Sequence, residues 1–509
     1  MSDVLGGAAL LVVSAAAAAA MLLPAGRLRS AAMLFAVACF PVLILADQWN
    51  SPQISDLRDD PARMAALAAL ALFAAAALAL AFRRWAATLP LAIVFALPFR
   101  IPLHAGGDTA NLLVPLYLVI GGGVLFAASR DLGIFTAASP AGGVEDSSAG
   151  RSPPASTTGP AGQAAVWLPR VLAAVVLLYA LQSLYSPDLS KSIQNVCFFF
   201  VPFSLVYALL RDVEWDRRLL TAVLVVVAVE AVAFVMVGTV EYLSESLFWN
   251  DQVIRSNDFH TYFRVNSIFW DPNIYGRYLA LTIVIAMSAL LWARERREQA
   301  LLAILIAILW LGLVPTFSQS SFAAVLAGMA VLAALRWSVR WTLAAVAAAA
   351  VAGTIAVLFI GGSSSLNPSR LNVDTGGRAN LVSGGAELFA RRPVWGYGAG
   401  SFPAAYREHI ATRKAPVSVS HTEPVTVAAE QGVIGLAAYC ALLVCALWTM
   451  ASGLFGSAAQ PVGRVAVLAT FVALLVHTMA YAGFYEDPIT WVLLAMGATL
   501  AAAAVREPT

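Results

Sequence analysis

Charge is what this chain has least of. Of 509 residues, 31 are Lys or Arg and 29 are Asp or Glu, 12% in all, about half the share of a soluble protein. With 60% of residues hydrophobic and a mean hydropathy of +0.79, too little polar surface exists to cover water-soluble domains. The formal charge of +2 says nothing about nucleic acid, and with no basic tail or aromatic-interleaved basic patch no nucleic-acid partner is expected. Histidine is scarce, at five residues, and cysteine scarcer. Cys39, Cys197, Cys440 and Cys445 all fall inside apolar runs, which excludes a disulfide framework or metal knuckle and leaves small core side chains. The apolar stretches do not alternate with period two, so barrel strands are excluded as well. What remains is a series of long Leu/Ala/Val-rich runs. They describe a helical integral membrane protein.

A spanning helix needs about 20 predominantly apolar residues. Read between charged and Pro/Gly-rich breaks, the runs give about fifteen candidates, near 5–23, 29–46, 63–82, 86–102, 112–129, 169–186, 194–211, 219–240, 273–293, 299–315, 321–337, 341–361, 424–450, 465–482 and 488–505. The expected fold is an all-α polytopic bundle of about 12–15 transmembrane helices. The first run has no basic residue before it and is followed by Arg27 and Arg29, the pattern of a retained span and not of a signal peptide.

Placing Arg27 and Arg29 in the cytoplasm and alternating from there collects 17 of the 31 positive residues on that side. The opposite short loops hold seven, among them Arg100, Arg264 and Arg277, and the last seven lie in the long loop 362–423, where the positive-inside bias does not apply. The reading therefore expects a multi-pass inner (plasma) membrane protein with a cytoplasmic C-terminus. It divides the chain into N-terminal spans (1–130), a flexible cytoplasmic Ser/Pro/Gly/Ala-rich linker (131–165), and central spans (166–361) with an external loop at 241–272. A large extracytoplasmic loop (362–423) and C-terminal spans (424–509) follow. No internal repeat of the kind that marks transporter halves is visible.

Three segments on the extracytoplasmic side carry chemistry. The first is Arg264-Val-Asn-Ser-Ile-Phe-Trp-Asp271-Pro272-Asn273. Asp271, Pro272 and Asn273 punctuate a loop-to-helix junction, with Asp271 or Asn273 able to cap it. Arg264 is not needed for that punctuation, and its planar fork suits a phosphate. The second runs from Arg378 through Arg391-Arg392-Pro393-Val-Trp395-Gly396-Tyr-Gly398-Ala-Gly400. Residues 378–390 form an amphipathic helix pattern, and the glycines give a turn whose amides can approach an anion, as can those of any tight turn. The third is His421-Thr422-Glu423, entering a span that continues to Gly432 and Gly435. A histidine beside a carboxylate at a helix rim can move protons near neutral pH or simply hold an interfacial hydrogen bond. The two glycines let helices pack closely.

Taken together these motifs resemble the O-antigen ligase and O-antigen polymerase family. They are an arginine before a Pro-Asn helix start, Arg then Pro-x-x-Gly-x-Gly in a large loop, and His421-Thr422 followed after nine residues by Gly432-Val-Ile-Gly435. The resemblance covers roughly 200–450. Thr422 departs from the usual second residue, and Thr316-Phe-Ser318-Gln319 stands where relatives often carry Ser-Arg. The N-terminal spans and linker also exceed a typical member. The resemblance implies a large multi-spanning helical glycosyltransferase. It would move a glycan from undecaprenyl diphosphate to an acceptor glycan or glycolipid on the outer face of the inner membrane, as ligase or polymerase, without cofactor or metal and with inversion. It further implies donor-diphosphate binding by Arg264 and Arg378 with the glycine loop at Gly396 and Gly398. The catalytic residues would be His421 and, as second candidate, Glu423, with Asp271, Pro272 and Asn273 shaping the site.

Two rivals remain at the level of sequence. A metal-dependent lipid-donor glycosyltransferase would use acids of the first external loop, Asp47, Asp56, Asp59 and Asp60. A flippase or transporter would place ionisable groups at the membrane midplane, where Glu230 and His477 are the candidates.

Overall fold

The computed structural model describes residues 3–105, 108–133, 160–248, 250, 253–254, 257, 262–361, 377–410, 417, 419–455 and 460–506. Most of the expected linker 131–165 lies outside them. Helices α1 (Asp3–Leu22) and α2 (Arg27–Asp47) lead, followed by the short α3 (Pro52–Arg58), α4 (Pro61–Arg84) and α5 (Thr88–Ala96). After a ribbon of β1 (Ile101–Ala105) and β2 (Asp108–Leu112) come α6 (Val114–Asp131) and α7 (Pro160–Ser183). Next, α8 (Leu189–Asn195) passes through a π turn at Val196–Phe200 into α9 (Val201–Leu210). The central set is α10 (Arg217–Ser244), α11 (Pro272–Trp292), α12 (Arg296–Leu313), α13 (Gln319–Arg336) and α14 (Val339–Gly361). Two short helices, α15 (Arg378–Arg391) and α16 (Phe402–His409), precede α17 (Glu423–Ala451), α18 (Val462–Thr478) and α19 (Pro488–Arg506).

Among the described residues eleven helices are long and apolar enough to cross a membrane, and three shorter apolar helices correspond to the expected spans at 341–361, 465–482 and 488–505. The all-α expectation holds, with one local exception. The run 86–102 is not a continuous span, because α5 ends at Ala96. Pro98 and Pro102 lack the amide donors a helix would need there. The chain continues instead as an antiparallel ribbon, Ile101–Ala105 with Asp108–Leu112, in which Ile101 pairs with Leu112 and Ala105 with Asp108.

Within hydrocarbon, helices gain little from burying apolar surface against one another, so close packing has to come from small residues. Gly312 lets Val235 approach to where a Cβ would lie 2.4 Å from Cγ2, and Gly328 does the same for Val284 at 2.5 Å. The α8–α9 segment is the buried centre, whereas α4 is lipid-facing and exposes Leu70, Leu72 and Phe73. The loops to which the positive charge bias assigns a cytoplasmic position meet at one end of the bundle. There Asp131 accepts from the Gly26 amide at 3.0 Å and the Ser30 hydroxyl at 2.9 Å, and Arg29 pairs with Asp212. The motif-bearing loops lie at the other end.

Candidate active site

The arginine loop is built from a buried glutamate outward. Glu241, in the last turn of α10 and fully buried, accepts the amides of Asn266 at 3.2 Å and Ser267 at 2.6 Å. The Ser267 hydroxyl donates to Phe234 O at 2.8 Å. Val265 N bonds Pro315 O at 3.2 Å, which ties the loop to the turn after α12. The pinned loop aims Arg264 at that same turn. Its Nε donates to Thr316 O at 2.9 Å, and Nη2 lies 3.5 Å from Asn273 Oδ1. Asp271 caps α11, its carboxylate accepting the Asn273 amide at 2.6 Å and side-chain Nδ2 at 2.9 Å, with Pro272 in the first turn where no donor is required. Burial pulls the Arg264 guanidinium below its ordinary value, Asp271 opposes this, and Arg378 adds to it.

Arg378 opens α15 immediately after Gly377, whose φ of +87° suits glycine. Its guanidinium also bears on His421. That imidazole is half-buried, and its pKa is lowered by burial and then by Arg378, with Asp271 pulling the other way. His421 sits at φ +64°, a left-handed conformation costly for a residue with a Cβ. The carbonyl of His421 is held by Ala482 N at 3.2 Å. Two residues on, Glu423 is buried, and its Oε2 accepts the amides of Gly483 at 2.7 Å and Phe484 at 3.0 Å. Arg264, Asp271, Arg378 and His421 therefore form one electrostatic cluster at one end of the bundle, drawn from three separate stretches of chain. Glu423 anchors the turn after α18 beside it.

The glycine loop has other duties. Gly396 N donates to Arg392 O at 3.0 Å and Gly398 N to Glu430 O at 2.7 Å. Glu430, buried in α17, accepts Gly400 N and Phe402 N, both at 2.9 Å. Val433 N reaches back to Pro393 O at 2.7 Å, across the kink that Gly432 makes at φ +65°. A Cβ on Gly396 would lie 2.3 Å from Glu430 O, and one on Gly432 would lie 2.3 Å from Val394 O. The two glycines let the loop and the kinked helix share backbone hydrogen bonds at van der Waals contact. Both loop amides expected to face an anion are engaged within the chain, at a level in α17 about two turns beyond Glu423.

The sequence reading gave several residues of this region no part in the transfer site. Arg277 and Asp487 form an ion pair at 2.8 Å, each with 4% of its side chain exposed. Arg100, from the stretch before the ribbon, faces Asp487, Arg277 and Tyr481. His477 Nε2 lies 3.1 Å from the Ser320 hydroxyl. The signal was available for Asp487, because Asp487-Pro488 repeats the Asp-Pro helix start of Asp271-Pro272. Of the rival acids, Asp47 accepts from Ser190 Oγ at 2.7 Å, Asp59 pairs with Arg58 at 3.3 Å, and Asp60 caps α4 through Arg63 N at 3.0 Å, while the Asp56 side chain lies outside what the structure describes. Glu230 accepts the Tyr278 hydroxyl at 2.7 Å within the bundle.

Comparison with known proteins adds a family to this geometry. Residues 304–440 match the family described as O-antigen ligase. That segment is similar to the O-antigen ligase family. It holds the Thr316 turn, Arg378, the glycine loop, His421 and the Gly432 kink, while Arg264, Asp271, Arg277 and Asp487 come from chain on either side of it. No match emerges among curated proteins. The O-antigen ligase segment thus brings the histidine and one arginine, and the flanking helices complete the cluster around them.

Proposed function

We propose that the protein transfers a glycan from undecaprenyl diphosphate to an acceptor sugar at the outer face of the inner membrane, as an O-antigen ligase or polymerase. The observation that carries this reading is the convergence of Arg264, Arg378 and a depressed, half-buried His421 on one cluster. A diphosphate leaving group needs positive charge at the bilayer surface, and two guanidiniums supply it without a metal ion. His421 Nδ1 or Nε2 takes the proton of the acceptor hydroxyl. The hydroxyl oxygen attacks the anomeric carbon as the bond from that carbon to the phosphate oxygen breaks. The electron pair leaves on undecaprenyl diphosphate beside Arg264 and Arg378, and a single displacement inverts the anomeric centre. In this account Glu423 keeps the His421 corner in place, and Gly396 and Gly398 seat the loop.

Purified protein in liposomes, with EDTA present, tests this. An undecaprenyl-diphosphate-linked oligosaccharide is supplied with either lipid A-core or a second lipid-linked chain. Release of undecaprenyl diphosphate together with glycan on one of the acceptors is expected. Turnover that EDTA abolishes and a divalent cation restores would instead favour the metal-dependent mechanism.

A further inference from the structure

The turn at 314–318, between α12 and α13, holds the Arg264 guanidinium through one carbonyl and is itself strained. Phe317 sits at φ +49°, a left-handed conformation costly for a residue with a Cβ. Ser318 stands at the N-cap of α13, yet its side chain makes no cap hydrogen bond, although serine at that position ordinarily accepts a first-turn amide. Its hydroxyl is spent sideways. Ser321 Oγ donates to Ser318 Oγ at 2.8 Å, Ser318 Oγ lies 3.2 Å from Ser320 Oγ, and Ser320 Oγ lies 3.1 Å from His477 Nε2. Each hydroxyl has one proton to give. Ser321 gives its own to Ser318, so the run in which every hydroxyl proton finds a partner ends with His477 Nε2 as acceptor. At the other end the Ser318 amide donates to Thr316 Oγ1 at 3.2 Å, and Thr316 O accepts Arg264 Nε at 2.9 Å. Thr316, Ser318, Ser321 and His477 are fully buried. Gly276 of α11 packs against them, where a Cβ would lie 2.7 Å from Ser321 Oγ. Water does not replace a partner lost in such a place.

We propose that His477 is a positioning residue of the transfer site. From α18 it anchors the serine chain that sets the 314–318 turn, and through that turn it sets the Arg264 guanidinium. The inference rests on Arg264 as a ligand of the donor diphosphate. Thr316, Ser318, Ser320 and Ser321 lie within six residues of one another, so their mutual bonds would travel with the turn if it moved. His477, 157 residues beyond Ser320, ties the turn to a different helix. It also lies outside the segment 304–440 that is similar to O-antigen ligases. A histidine that the sequence offers to proton transport is thereby accounted for at the end of a buried hydrogen-bonded chain.

The test begins with amide hydrogen exchange of the 313–321 stretch in detergent micelles, read by mass spectrometry. Exchange should rise in His477→Leu and in Ser320→Ala. It should return to the wild-type rate in His477→Gln, whose amide oxygen can accept in place of Nε2. In liposomes, kcat/KM for an undecaprenyl-diphosphate-linked oligosaccharide should fall about tenfold in His477→Leu and in Ser320→Ala and recover in His477→Gln. KM for the acceptor glycan should stay within about twofold. In an Arg264→Ala background the His477→Leu change should cost nothing further. If His477→Leu does not fold, Ser320→Ala carries the same expectations. Unchanged exchange overturns the proposal, as does a wild-type donor kcat/KM in a variant whose exchange has risen. A full tenfold loss added on top of Arg264→Ala overturns it as well. An unchanged donor kcat/KM in Arg264→Ala would instead remove the donor role of Arg264, and because exchange needs no turnover the two failures are told apart.

Discussion

His421 combines three properties that a proton acceptor for a sugar hydroxyl requires: a half-buried imidazole, a depressed pKa and a backbone fixed by Ala482. Replacing it with Ala should cost about 10²- to 10⁴-fold in turnover with the protein still folded, since the positive φ is no worse for alanine. Turnover in liposomes alongside size-exclusion behaviour checks both halves of that expectation. The pH dependence follows in sign. As the proposed base, His421 would work only when neutral, and its pKa lies below the ordinary histidine value. Activity should therefore persist through neutral pH and fall only as the medium drops below about 6.5. At Arg264 the fork is already committed through Nε to Thr316 O and, at 3.5 Å, through Nη2 to Asn273 Oδ1, which leaves Nη1 and the second hydrogen of Nη2 to meet a phosphate. Lysine has neither the second contact nor the fixed plane, so Arg264→Lys should lower kcat/KM about tenfold or more. Complete rescue by lysine would reduce the role to charge alone.

Three buried glutamates set the elements of the site, each at the end or kink of a helix and each collecting two or three amides. Glu241 holds the arginine loop, Glu423 the turn after α18, and Glu430 the turn into α16. The most restrictive joint is the mutual approach of Gly396 and Gly432. Gly432→Ala places a Cβ against Val394 O in a left-handed conformation. It should destabilise the protein by about 2 kcal/mol or more and open the 392–396 loop to protease, read as a lowered Tm in detergent and a new cleavage site there. This joint also shows where the sequence misleads. Glycines that admit a phosphate and glycines that admit another backbone occupy the same pattern, and the deciding partner lies about thirty residues away in a helix. Asp271, Pro272 and Asn273 were legible because capping is local chemistry. The Arg277–Asp487 pair was not, because 210 residues separate its members and only packing joins them.

For the molecule as a whole, eleven of the fifteen expected runs are, among the described residues, helices long and apolar enough to span, three more coincide with shorter apolar helices, and the proline-broken 86–102 stretch is not a continuous helix. The even number of spans between Arg264 and α15 returns the chain to one end. The Arg264–Thr316 bond and the mutual influence of Arg264 and Arg378 show this directly. Which face of the membrane that end occupies is the claim on which the lipid-linked donor depends. Single cysteines at Ser383, exposed on α15, and at Gln299, exposed on α12 at the opposite end, separate the two orientations once the native cysteines are replaced. With a membrane-impermeant maleimide on intact spheroplasts, Ser383→Cys should label at once and Gln299→Cys only after lysis. Labelling of Gln299→Cys in intact cells, with Ser383→Cys protected until lysis, would put the cluster in the cytoplasm and contradict the account.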